Sequence, residues 1–175
     1  MQNETSPGLV REALAILQCP DCHFELRQED DALVCRSCAR RYPVVKGVPR
    51  FVDQQFYTSS FGFQWLKHNR TQLDDENSHR SERDFILRTR LSPADLRDKL
   101  VLDVGCGMGR YADVATRWGA RVVGIDLSQA VEAAAANLAD REATILQADA
   151  LRLPFAPESF DYIYSLGVLH HTPKL

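Results

Sequence analysis

The stretch Val101-Leu102-Asp103-Val104-Gly105-Cys106-Gly107-Met108-Gly109-Arg110 constrains this chain more than any other: an apolar run reaches an acid and then breaks into alternating glycines. Leu100 to Val104 is aliphatic and β-branched, the composition of a strand buried on both faces of a parallel sheet. Glycines at 105, 107 and 109 remove every second Cβ, which permits unusual backbone angles and lets a ligand approach main-chain N–H groups. Arg110 to Trp118 places Tyr111, Val114, Ala115 and Trp118 at helical spacing, so the loop opens an amphipathic helix. Arg121 to Ile125 is a second apolar strand, closing on Asp126. An acid at that strand end sits where a ribose hydroxyl pair lies in a doubly wound sheet. The dinucleotide fingerprint G-x-G-x-x-G fits poorly, because the third glycine comes one residue early and Arg110 occupies the place of the last one. NAD and FAD are thereby disfavoured.

The second strong signal lies far upstream. Cys19-Pro20-Asp21-Cys22 and Cys35-Arg36-Ser37-Cys38 are two C-x-x-C knuckles separated by twelve residues. Two residues between thiols let both sulfurs face one centre, and four thiolates satisfy tetrahedral zinc with no open position, so Cys19, Cys22, Cys35 and Cys38 predict one structural zinc. Such a site supplies folding energy to a module too small for an adequate core. Disulfides, a redox pair or unrelated surface cysteines are the alternatives. Met1-Gln2-Asn3-Glu4 lacks the basic and apolar regions of a secretory signal, so a cytoplasmic, reducing location is expected and disulfides are disfavoured. A redox pair would need a single knuckle in a thioredoxin-like setting. Between the knuckles, Phe24 to Val34 reads as a hairpin around Gln28-Glu29-Asp30-Asp31. Before them, Leu9 to Leu17 reads as a short helix or turn with Leu9, Ala13, Ile16 and Leu17 on one face.

With its acid two residues before the first glycine, the loop reads D-x-G-x-G-x-G and resembles motif I of the class I S-adenosylmethionine-dependent methyltransferases. Gly124-Ile125-Asp126-Leu127-Ser128 resembles their second motif, Gln147-Ala148-Asp149-Ala150 their third, and Phe160 to Ser165 with Val168-Leu169-His170-His171 their fourth. The resemblance spans residues 98 to 173. It implies an α/β, Rossmann-like sheet whose first four strands run in the order 3-2-1-4, here Leu100 to Val104, Arg121 to Ile125, Thr144 to Gln147 and Phe160 to Ser165. It also implies a division of labour around S-adenosylmethionine. Asp103 meets the amino group, directly or through water. Gly105, Gly107 and Gly109 run beneath the aminoacyl part, and Asp126 accepts from the ribose hydroxyls. Leu127 packs on the adenine, Asp149 accepts from its amine, and the Ala150 N–H faces the ring. Asp126 and Asp149 can equally cap the segments that follow them. His170 or His171 can act as a base, although a histidine at a helix start is more often structural. Cys106 is assigned no chemistry.

Residues 14 to 53, on the knuckles plus Tyr42-Pro43-Val44 and Gly47-Val48-Pro49, resemble the small zinc-ribbon family whose free-standing eukaryotic members bind and activate tRNA and protein methyltransferases. The chain therefore divides into a zinc ribbon (1–53), a linker with a lid-like helical segment (54–97) and the N-terminal half of a methyltransferase domain (98–175). Arg36, Arg40, Arg41, Lys46 and Arg50 cluster around the second knuckle. They read as a solvated face, offset by Asp21, Glu25, Glu29, Asp30 and Asp31, or as an RNA-binding patch. rRNA guanine methyltransferases also carry an N-terminal ribbon, but with histidine in the second ligand pair, where this chain has Cys35 and Cys38. A net charge of −3 gives no overall pull toward nucleic acid, and no apolar run is long enough to span a membrane.

Phe56, Tyr57, Phe61, Phe63 and Trp65, followed by Asp74-Asp75-Glu76-Asn77-Ser78, read as packing against the catalytic domain or as a lid. Phe61 to Trp65 and Thr71 to Asp74 resemble stretches of ribbon-fused methyltransferases. Ser81 to Leu91 reads as a helix with Phe85, Ile86 and Leu87 inward, and Ser92-Pro93 as the cap and first residue of another. The expected function is methyl transfer to a small-molecule acceptor such as a quinone precursor, lipid or secondary metabolite. The alternatives are an RNA methyltransferase and a non-catalytic partner of another enzyme. The family sheet has seven strands and four are legible, so a truncated product, an excised fragment or a half needing a partner is expected. Phe160 to Ser165 would then be an exposed apolar edge, open to a partner chain.

Overall fold

The computed structural model describes residues 11–52, 73–75 and 78–172. The aromatic stretch from Phe56 to Trp65, with the resemblance at Phe61 to Trp65 and at Thr71 and Gln72, lies outside the described residues. So do Leu9, Glu76 and Asn77.

The ribbon begins with helix α1 (Arg11–Ile16), which leads into the first knuckle. Strands β1 (Leu26–Glu29) and β2 (Ala32–Cys35) form the expected antiparallel hairpin, with Leu26 opposite Cys35 and Glu29 opposite Ala32. Its turn is only Asp30-Asp31, because Gln28 and Glu29 alternate with the strand instead of leaving it. Strand β3 (Arg41–Val45) pairs antiparallel with β2, and β4 (Val48–Pro49) folds back on β3 across Lys46-Gly47. Both turn residues have positive φ, 52° and 79°, the turn whose twist matches that of a hairpin. The four strands lie in sequence order.

The second sheet is parallel and follows the order implied by the methyltransferase resemblance. Strands β5 (Leu100–Val104), β6 (Arg121–Asp126), β7 (Ala143–Gln147) and β8 (Tyr162–Tyr164) lie as β7-β6-β5-β8. Helix α4 (Arg110–Arg117) crosses from β5 to β6, and α5 (Ala130–Asn137) from β6 to β7. Strand β8 is three residues long, not six, since only Tyr162 to Tyr164 register against Val101 to Asp103. It ends the sheet, and Ile163 is 61% exposed there.

Successive residues of these strands face opposite ways, and the two faces are covered differently. Val101, Val122 and Ile145 pack with Val114, Ala115 and Trp118 of the α4 region and with Ala134 of α5. Helix α2 (Arg80–Thr89) and the short α3 (Pro93–Leu96) join this side through Phe85 and Leu96, both fully buried. Phe85 stands among the rings of Tyr111, Trp118 and Tyr164 at 5.8, 5.4 and 5.0 Å. Ile86 and Leu87, expected inward, are 44% and 64% exposed. One helical position per turn reaches this core, and Phe85 takes it.

On the other face Leu102, Val104, Val123, Ile125 and Leu146 pack with Ala13, Leu17, Leu33 and Tyr42. The ribbon thus forms the second layer of the α/β unit. Main-chain bonds seal the seam: Gln18 N–H donates to the Pro154 carbonyl (2.9 Å), Ala156 N–H to Ile16 (2.8 Å) and Phe51 N–H to Gln147 (2.7 Å). Ser92 caps α3 in a reciprocal box with Asp95, as Ser92-Pro93 indicates. Truncating the fully buried Phe85 to alanine is expected to cost about 3–5 kcal/mol, measurable by urea unfolding. A loss under 1 kcal/mol would show that this cluster does not hold α2 in place.

Candidate cofactor crevice and metal centre

Parallel pairing puts the carboxyl ends of β5, β6 and β7 along one edge of the sheet, each carrying an acid there or just beyond. Asp103 sits near the end of β5 at 2% exposure. Its Oδ2 and the neighbouring Tyr164 hydroxyl are both buried without a hydrogen-bond partner. Burial pushes the Asp103 carboxyl up to about 7 and the Asp126 carboxylate adds to the effect, against the nearby Tyr164 hydroxyl, which favours the carboxylate although the two do not form a well-aligned hydrogen bond. A buried carboxyl with an unanswered oxygen is suited to an incoming cationic donor.

The glycine loop follows. Gly105 has φ of +82°, and a Cβ there would lie 2.2 Å from a Val168 methyl, so no side chain fits. Gly107 differs: its φ is +54°, and a Cβ there would meet nothing within 4 Å. The main chain at Gly107 therefore borders open space. Gly109 starts α4 as its N-cap residue, also at positive φ.

Asp126 ends β6 and is already engaged. Its Oδ1 accepts the Ser128 N–H and Oγ–H at 2.8 and 2.7 Å, and its Oδ2 accepts the Gly107 N–H at 2.9 Å. A carboxylate has about four acceptor sites, so roughly one remains. Asp126 thus both caps α5's entry and straps the glycine loop to the end of β6. Asp149 accepts the Leu151 N–H at 2.9 Å, the expected local cap. Leu127 and Ala150 are half-buried beside them. His170 and His171 are exposed on a short 3-10 turn (Leu169–His171), their rings 3.9 Å apart. They sit two and three residues beyond Val168, which covers Gly105.

The four ribbon thiols form the second centre, with all sulfurs within 4.8 Å of one another. Cys19 and Cys38 sulfurs are 3.7 Å apart, and those of Cys22 and Cys35 3.4 Å. Tetrahedral zinc with bonds of about 2.3 Å needs sulfurs about 3.8 Å apart. Burial disfavours the Cys35 thiolate, but N–H groups of Cys38 and Ser37 outweigh it and lower its pKa to about 6. The Arg40 N–H favours the Cys38 thiolate, yet Cys35 and the other thiols push Cys38 up to about 12. Thiols this close cannot all ionise alone, and a divalent cation removes the conflict. Asp21, inside the first knuckle, pairs with Arg40 and Arg152 and accepts from Tyr42 at 3.0 Å.

Each residue of the basic cluster has an acidic neighbour, while Arg36, Arg40, Arg41 and Lys46 stay exposed. Arg36 faces Glu25, Arg40 pairs with Asp21, Arg41 with Glu29, and Lys46 with Glu132. Arg50 is buried, bridging Glu132 and Gln147 at 3.1 Å each. Neither Arg50 nor Gln147 carries a local sequence signal for this contact. Asp74, His79 and Glu82 also converge. There, Asp74 caps α2 by accepting the Ser81 and Glu82 N–H groups, and Arg117 balances the acids.

Parallel sheet order, glycine loop and terminal acids define a class I S-adenosylmethionine-dependent methyltransferase fold, here joined to a four-cysteine zinc ribbon. Residues 102–175 match the methyltransferase domain family, and residues 11–47 match the Trm112p-like protein family. The ubiquinone biosynthesis O-methyltransferase of Neisseria meningitidis serogroup C is 39% identical over 87 residues, 46% of this chain and 36% of that protein. The tRNA U34 carboxymethyltransferase of Pseudomonas paraeruginosa is 44% identical over 90 residues, 47% of this chain and 28% of that one. The crystal structure of an S-adenosylmethionine-dependent methyltransferase from Mesorhizobium loti, 32% identical, covers 55% of this chain and 43% of its own, with a TM-score of 0.47. The chain spans between 15% and 40% of the length of the curated relatives it matches. Among the described residues no helix is long and apolar enough to cross a membrane.

Freshly purified protein made with ample zinc is expected to hold one equivalent, and Cys35→Ser to hold almost none with a lower unfolding temperature. Full retention of zinc by that variant would remove the four-thiolate assignment. The Asp103 carboxyl gives a second expectation. Its folded pKa, about 7, lies above the unfolded value of about 3.9. Between those values the unfolded chain releases the proton first, so stability falls as pH rises from 4 to 7 and then levels. Asp103→Asn should abolish that component, on the order of 4 kcal/mol at pH 8. Parallel urea titrations of wild type and variant at pH 5 and 8 check this. An equal difference at both pH values contradicts it.

Proposed function

We propose that this chain binds S-adenosylmethionine in the crevice at the ends of β5, β6 and β7 and serves methyl transfer to a small-molecule acceptor. The observation that carries the reading is the unanswered, buried Oδ2 of Asp103 beside a glycine loop that opens onto space. In this reading Asp103 ionises to meet the cofactor's ammonium, and Gly105, Gly107 and Gly109 cradle its aminoacyl part. Asp126 takes the ribose hydroxyls with its remaining acceptor site and by sharing Oδ2 with Gly107. Leu127 lies against the adenine, while Asp149 and the Ala150 N–H meet its edge.

When bound, the cofactor supplies a methyl carbon on a sulfonium, a leaving group that needs no acid. The protein's part is to align the acceptor with the carbon–sulfur bond and exclude water. A hydroxyl or ammonium acceptor would also have to give up a proton. In this reading His170 or His171, two and three residues beyond the Val168 that covers Gly105, receives it. The likeness to ubiquinone biosynthesis O-methyltransferases supports a small acceptor, while the exposed pairs of Arg36, Arg40, Arg41 and Lys46 are weak surface contacts that keep RNA as the second reading.

Asp126→Ala should weaken cofactor binding about 10- to 100-fold, and Asp149→Ala less, since two hydroxyl contacts are lost against one amine contact. Calorimetry with S-adenosylmethionine reads both, and equal affinity of wild type and Asp126→Ala would remove the ribose assignment. Labelled cofactor offered with a metabolite extract or with total RNA tests the acceptor. Label transfer to RNA alone would replace the small-molecule reading.

A further inference from the structure

The ribbon grips the segment that supports the adenine side of the crevice, and it does so through one glutamine. Arg50 leaves β4 at 6% exposure, with Nη2 3.1 Å from Glu132 of α5 and Nη1 donating to Gln147 Oε1 at 3.1 Å. A guanidinium only donates, so the Gln147 amide must turn its NH2 the other way. That NH2 donates to the Leu127 carbonyl at 2.9 Å. The Gln147 carbonyl in turn accepts the Phe51 N–H at 2.7 Å. Main chain and side chain of Gln147 are therefore both held from the ribbon.

Gln147 ends β7, two residues before Asp149, and Leu127 follows Asp126 at the end of β6. One amide thus ties together the two segments that carry the ribose and adenine contacts. A second tie lies further on, where Arg152 reaches Asp21 inside the zinc knuckle. Arg50 suits this place because its two terminal nitrogens serve two acceptors at once, which a single ammonium cannot do with the same geometry.

We propose that Arg50 is a positioning residue of the cofactor site: through the Gln147 amide it sets the placement of Leu127 against Asp149-Ala150, so cofactor affinity is governed from the zinc ribbon. This rests on the reading of the crevice as an S-adenosylmethionine site. Arg50 touches no ligand itself. Its influence runs through hydrogen-bond orientation, and loss of the guanidinium frees the amide to rotate.

The test is calorimetric titration of the zinc-loaded, full chain with S-adenosylhomocysteine, comparing wild type with Arg50→Met, Arg50→Lys and Gln147→Glu. Arg50→Met should raise Kd about tenfold, with stoichiometry and zinc content unchanged. Arg50→Lys should recover part of that loss. Gln147→Glu is the decisive variant, because it keeps a partner for Arg50 yet has no N–H to offer Leu127. It should raise Kd about tenfold while the ribbon stays docked, and it keeps the proposal testable if Arg50→Met fails to fold. Unchanged Kd in Gln147→Glu, or lower stoichiometry at constant Kd across the variants, would overturn the positioning role. Wild type that binds no S-adenosylhomocysteine would instead overturn the cofactor reading, and this inference with it.

Discussion

The structure depends on one requirement: a parallel sheet of aliphatic strands must be covered on both faces. Helices α2, α4 and α5 cover one face of β5, β6 and β7. The other face is covered by the ribbon, whose Ala13, Leu17, Leu33 and Tyr42 pack on Leu102, Val104, Val123, Ile125 and Leu146. Each fully buried side chain of this kind contributes roughly 1.5–3 kcal/mol. A four-stranded ribbon is too small to supply that for itself. Zinc holds the knuckles together, and the sheet gives their apolar residues something to cover. The two units therefore complete each other's core.

That shared core brings the metal centre and the crevice onto one stretch of chain. Residues 147 to 156 carry the third acid and its neighbours on one side. Along the same stretch they meet Arg50, Phe51, Asp21, Gln18 and Leu17 of the ribbon. The crevice itself is held under electrostatic tension. Asp103 is buried beside a second carboxylate with one oxygen unanswered, a local cost that a bound cation repays. Asp126 answers part of its own charge by strapping Gly107, which keeps the loop ordered while leaving one acceptor site.

Much of this was legible in the sequence, because the signals are local. The D-x-G-x-G-x-G loop, the apolar strands on either side and the spacing of Tyr111, Val114, Ala115 and Trp118 express rules that act within a turn or a strand. The knuckles are equally local, since two residues between thiols set the reach of both sulfurs. Where prediction failed, neighbours had to be counted. Ile86 and Leu87 are apolar and lie on the expected helix, but the core on that side has room for Phe85 alone. Gln28 and Glu29 are polar and still belong to β1, because strand pairing continues through them.

What the sequence by itself determined was most of the parallel strands, the hairpin and the four clustered thiols, and its likeness to the methyltransferases carried the order of the parallel strands. Tertiary structure alone decided how those parts are joined. Arg50 and Gln147 stand 97 positions apart, and no periodicity or motif relates them. The same holds for Asp21 and Arg152, and for the way Lys46 and Arg50 both reach Glu132. Side-chain pairing across such distances depends on which face of the sheet the ribbon covers. That choice follows from shape and from the apolar area left open, quantities that exist only once the chain has folded.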